Sequence, residues 1–164
     1  MTALMARPHT ELSKAPTAQT LQKVLAGTYG LYLATHNYHW NVEGNLFVSL
    51  HSLFESQYNE LFLAVDLIAE RIRALGDYAL PFEGDTIIQI SKMTSNALNK
   101  EIDATLRAHR MLLNLIDLTE SAILSCQTAK AAAKDATDDE SENLMIERIT
   151  AHQKALWMLR AASK

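Results

Sequence analysis

Cysteine, proline and glycine are scarce in these 164 residues, at one, three and five copies. So few helix breakers leave long uninterrupted segments, and none of them alternates with the two-residue period of a strand. The single Cys126 excludes an intramolecular disulfide and any thiolate cluster of the kind that holds structural zinc or iron–sulfur centres. It fits a reducing compartment, and its simplest role is that of a small buried side chain. No apolar run is long enough to span a bilayer, and the opening MTALMARPHTELSKAPT lacks a basic-then-apolar leader with a cleavage site. A cytoplasmic protein with no membrane partner is expected. A net charge of −4 excludes a global basic footprint for nucleic acid. Positive charge is also missing locally. No Lys or Arg occurs between Lys23 and Arg71, whereas Glu43, Glu55, Glu60, Asp66 and Glu70 all fall there. A solvated helix face ordinarily mixes both signs, so this stretch is suited to receive a cation.

What is present is helical periodicity. Residues 1–16 hold two prolines and read as a flexible N-terminal tail, with one helical domain over 17–162. Leu21, Val24, Leu25, Thr28, Leu31, Tyr32, Thr35, Tyr38 and His39 recur at steps of three and four, the spacing of a buried helix face. Beside them runs a second stripe of Tyr29, Leu33, His36 and Trp40. A helix apolar on so much of its circumference is covered on two sides, by its own bundle and by a neighbouring subunit. Gly44-Asn45 ends this helix, and a second runs over 47–75 until Gly76, with Leu50, Leu53, Phe54, Tyr58, Leu61, Val65, Ile68, Ile72 and Leu75 inward. The connection over 77–85, with Pro81 and Gly84, is too long for a simple turn and predicts a crossover with a short helix beginning near Thr86. A third long helix is expected over 95–134, through Leu98, Ile102, Leu106, His109, Leu113 and Ile116. The fourth follows DATDDESE and ends near 162, using Met145, Ile149, His152, Leu156 and Leu159. The reading is all-α: a four-helix bundle with a short helix in the long crossover between helices two and three, the ferritin-like connectivity.

On a helix each residue advances about 100°, so Glu55, Asp66 and Glu70 lie at about 40°, 60° and 100° from His51, on one face. Imidazole and carboxylate together suit iron, zinc or manganese. His51 and Asp66 are nevertheless 15 residues apart, roughly 22 Å along a continuous helix. One ion cannot bind both within a chain. The turn at Gly44 folds His39 toward His51, so each chain offers a histidine pair and, about four helical turns away, a carboxylate pair. A two-fold axis would bring the histidines of one copy onto Asp66 and Glu70 of another, twice over. Single-chain di-iron bundles instead place an inward Glu-x-x-His on two helices, and no glutamate here has a histidine three residues later.

The pattern His39-Trp40-Asn41, then His51, Asp66-x-x-x-Glu70, Arg71 and Gly76 resembles the Dps family (DNA-binding proteins from starved cells), the mini-ferritins. The resemblance spans essentially 17–162. It implies a hollow homo-dodecamer that oxidises Fe2+ at dimer interfaces, preferentially with hydrogen peroxide over oxygen, and stores ferric mineral. It also implies protection of DNA and cell from oxidative damage. By that resemblance His39 and His51 are iron ligands from one subunit, Asp66 and Glu70 from its mate, and Trp40 the tryptophan beside the site. Glu55 shares the face and is assigned to mineral nucleation. The acidic run Asp135, Asp138, Asp139, Glu140 and Glu142 resembles an ion inlet, with Asp138, Asp139 and Glu142 as its lining, although acidic residues are also favoured in a first helical turn. His36, His109 and His152 have no comparable partners and read as structural. DNA binding finds weak support, since the termini supply only Arg7, Lys14, Arg160 and Lys164. The alternative to the ferroxidase is a nucleoid-associated structural protein with incidental metal binding.

Overall fold

The computed structural model describes residues 15–81, 86–98 and 102–164. Among them the chain forms five helices: α1 (Ala15–Asn41), α2 (Phe47–Ala74), α3 (Thr86–Ala97), α4 (Ala104–Asp135) and α5 (Asp139–Ala162). Helix α1 packs along α2 and α4, α4 packs along α5, and the short α3 lies against α1 and α4. Helices α2 and α5 close the square at longer range. The four-helix bundle with a short helix in the crossover between the second and third long helices is therefore as expected. Of the expected tail, Ala15 and Pro16 belong to α1, where proline suits a first turn; residues 1–14 lie outside the described residues.

Two glycines set the turns that matter. Gly44 (φ 92°) turns the chain between α1 and α2, and Gly76 (φ 93°) ends α2, both in the left-handed region that a Cβ disfavours. The third long helix departs from expectation. Residues 95–97 end α3, and α4 starts at Ala104, where Asp103 caps the helix by accepting from the Leu106 amide at 3.0 Å. Periodicity ran through this break because neither glycine nor proline marks it. The buried face of α4 is rotated accordingly: Ala108, Met111, Leu112, Leu115 and Thr119 are buried, whereas Leu106, His109 and Leu113 are exposed. Helix α5 also begins earlier than expected, its acidic residues Asp139, Glu140 and Glu142 forming the first turn.

The core divides in two. One apolar cluster gathers Leu31, Tyr38, Leu50, Phe54, Leu61, Met111, Leu112, Leu115 and Leu159; the other gathers Leu21, Val24, Leu25, Ile68, Ile72, Cys126 and Met145. Burial pushes the Cys126 thiol up to about 11, against a smaller downward pull from Arg148, so it is a packed side chain and not a nucleophile.

Candidate metal centre

The Gly44 turn brings the last turn of α1 against the first turns of α2 in antiparallel register. His39 and His51 face each other there, their rings stacked at 3.7 Å and 21°. His39 Nδ1 donates to the His51 carbonyl at 2.9 Å, and His51 Nδ1 donates to the His39 carbonyl at 2.9 Å. A carbonyl can only accept, so each imidazole carries a proton on Nδ1, which leaves Nε2 as the nitrogen available to a metal. Metal-ligating histidines characteristically have their second nitrogen tied to an oxygen in this way. Tyr58 holds His39 edge-on at 5.1 Å, and Phe47 lies 4.9 Å from His51. His39 is buried and His51 half-buried.

His36, one turn before His39, sits between Tyr58 at 4.1 Å and Trp40 at 4.2 Å. Burial first, then the nearby His39, lower its pKa below the usual imidazole value. Trp40 is 64% exposed. It reaches the half-site through His36 and leaves an indole face to solvent.

Asp66, Glu70 and Glu55 are exposed on α2, with Phe62, Leu63 and Leu67 exposed around the first two. Because α2 is unbroken over Phe47–Ala74, the 15-residue separation of His51 from Asp66 stands as roughly 22 Å of rigid helix. No group of three or more His, Cys, Asp or Glu side chains able to hold a metal ion gathers among the described residues. The structure thus brings His39 and His51 together and keeps both away from Asp66 and Glu70.

Of the acidic run, Asp138 is buried and already engaged. Its carboxylate caps α5 by accepting from the Ser141 amide (3.3 Å) and hydroxyl (2.8 Å), and it pairs with Arg71. Burial alone would raise its pKa, but the Ser141 hydrogen bonds and Arg71 together hold it below the usual carboxylate value. Asp139 and Glu140 are exposed and Glu142 is half-buried in the first turn of α5. Arg71 also donates from Nε to the Ser141 hydroxyl at 2.8 Å, tying α2 to the start of α5.

One charged residue of the bundle interior, Arg148, escaped the sequence reading, as did its pairing with Glu60. Arg148, 5% exposed on α5, grips both carboxylate oxygens of Glu60 on α2, with Nη2 at 3.1 Å from Oε2. The signal was an arginine on the inward stripe between Met145 and His152, where a surface cation would not fall.

Residues 18–163 match the ferritin-like domain family. The DNA protection during starvation protein of Brevibacillus brevis is 31% identical over 145 residues, covering 88% of this chain and 92% of that protein. A nutrient stress-induced DNA-binding protein of a Nostoc strain is 32% identical over 137 residues, covering 82% and 70%. The crystal structure of Dps from Thermosynechococcus elongatus superposes with a TM-score of 0.78 at 26% identity, covering 96% of each chain. With the bundle, its crossover and these relatives in agreement, the chain belongs to the ferritin-like family and, within it, to the Dps mini-ferritins.

Proposed function

We propose that this protein is a ferroxidase and iron-storage subunit that oxidises Fe2+, preferentially with hydrogen peroxide, at sites shared between two copies. The carrying observation is the reciprocally bonded His39–His51 pair, whose Nδ1 atoms are tied to carbonyls across the α1–α2 turn while the unbroken α2 holds Asp66 and Glu70 elsewhere. The exposed Trp40, Phe62, Leu63 and Leu67 provide an apolar face for a second copy to cover. Reversed by a two-fold axis, that copy supplies Asp66 and Glu70.

In this reading His39 and His51 bind ferrous iron as neutral donors, and the partner's carboxylates offset the charge that grows on oxidation. Each ferrous ion gives one electron. One peroxide takes two, its O–O bond breaks, and with two protons taken up from solvent it becomes two waters, so no hydroxyl radical is released. Zinc and manganese suit the same donors and would compete for them. Glu55, further along the exposed face, receives the ferric product for nucleation, and a closed dodecamer encloses the mineral. Asp139 and Glu142 are the acidic residues still free to draw cations inward, since Asp138 is held by Arg71 and Ser141. A cytoplasmic setting fits the single thiol and the ferrous substrate.

Replacing His39→Ala together with Asp66→Ala should lower peroxide-dependent iron oxidation at least about tenfold, the scale on which even the supporting partners of metal ligands act. Stopped-flow absorbance with assembly mass as control measures it, and unchanged oxidation in an intact shell would sink the assignment. The second reading, a DNA-binding structural protein, draws on the names of the Brevibacillus and Nostoc relatives. Its cations are few, and Arg160 is already paired with Glu120 at 2.6 Å. Retardation of DNA with a steep salt dependence and no iron uptake would favour it.

A further inference from the structure

Between the two apolar clusters the bundle interior becomes polar. Thr28 on α1 lies between Leu25 and Leu31, and on α5 Arg148 and His152 lie between Met145 and Leu159. On α2, Glu60 meets Arg148, and Gln57, one turn before it, has a buried Nε2. The pairing of Glu60 with Arg148 and of Arg71 with Ser141 sets α2 antiparallel to α5, which puts Gln57 level with His152. The contacts of Tyr32 with Tyr58 and Phe62 put Thr28, one turn away, just past Glu60. Three helices therefore meet in one polar layer.

That layer is short of acceptors. Glu60 takes both terminal nitrogens of Arg148, and Nη2 also reaches His152 Nε2 at 3.5 Å. Arg148 Nε, Gln57 Nε2 and Thr28 Oγ1 have no partner although all three atoms are buried. Arg148 and Thr28 are 5% and 1% exposed. Unmet buried donors of this kind are rare in folded proteins and strongly disfavoured, unless ordered water serves them. A cation does not fit against the Arg148 guanidinium and the Gln57 amide nitrogen, which can only donate. An anion does not fit either, because Glu60 already balances the charge of Arg148.

We propose that this layer is an internal hydration site: ordered water, entering between α2 and α5, accepts from Arg148 Nε and links it to Gln57 and Thr28. The route is available because α2 and α5 are the loosely apposed pair of the bundle and Glu60, at their seam, is 47% exposed on its side chain. The layer lies along α2 between the histidine pair and the carboxylate pair, and it does not depend on iron chemistry.

The test is Thr28→Val in the full-length assembled protein, a near-isosteric change that deletes one donor. A Tm lowered by a few degrees at fixed protein concentration is expected, because the water loses a partner. An unchanged or raised Tm overturns the proposal, since removing a hydroxyl that bonds nothing relieves the fold. A crystal of the wild-type assembly grown in sodium bromide gives the second measurement. Water density about 2.7–3.2 Å from Arg148 Nε is expected; an empty layer, or an anomalous bromide peak there, overturns it.

Discussion

His152 is where acid acts on this fold at the level of a single residue. Burial first, and then Arg148, lower its pKa to about 4, with Glu60 pulling weakly the other way. An unfolded histidine titrates near 6.5, so between about pH 6.5 and pH 4 the unfolded chain binds a proton that the folded chain refuses. Stability should fall through that window by on the order of 3 kcal/mol per chain and level off below it. Urea melts across pH on the wild type and on His152→Gln will show the slope and its reduction; equal slopes would deny His152 this role. Asp138 acts in the same direction, but at lower pH. Its depressed carboxyl contributes stability above the ordinary carboxylate range that is lost only as pH falls below about 3.8. The two groups therefore act in separable windows.

Among the elements, the junction of α2 with α5 rests on few but specific bonds. Arg71 and Arg148 span the wider gap, and Asp138 serves at once as helix cap and as partner to Arg71. Asp138→Ala leaves Arg71 with the more distant Glu140, 3.7 Å away, as its carboxylate partner and removes a cap, which should cost about 2 kcal/mol. Asp138→Asn, keeping an acceptor for the Ser141 amide, should cost less. Thermal melts of both variants give the ranking, and equal losses would mean that the charge pairing with Arg71 alone matters and the cap does not. How legible these elements were differed for physical reasons. The face of α1 was legible from Leu21 to His39 because the buried Leu21, Val24, Leu25, Leu31 and Tyr38 set the helical step on which the buried Thr28, Thr35 and His39 also fall. The α3–α4 break was missed because Asp103 starts α4 by a side-chain hydrogen bond, which leaves no mark on hydrophobic period. The histidine pair was legible as a pair through the Gly44 turn. Its carbonyl bonds were not, because they depend on the backbone orientation of two facing helices. Arg148 and Glu60, 88 positions apart, are joined only by the packing of α2 against α5.

At the scale of the whole molecule, the proposed shared site makes each chain half of two centres. Mixing a His51→Ala chain with an Asp66→Ala chain in one dimer leaves one site with both lesions and one with neither. Mixed dimers purified by two affinity tags should therefore recover about half the wild-type iron oxidation, where either homodimer has little. Absence of recovery in a confirmed mixed dimer would count against sites completed across the two-fold axis.

The unbroken α2 that holds His51 and Asp66 apart also governs how the protein tolerates a defective copy. If wild-type chains are diluted with chains lacking only His51, the intact sites should decline in direct proportion to the wild-type fraction. Each site asks for that residue from one chain alone. If the diluting chain lacks both His51 and Asp66, a site survives only where two wild-type chains meet, and activity should decline as the square of that fraction. One rigid helix carrying both halves thus turns a local lesion into a dominant one.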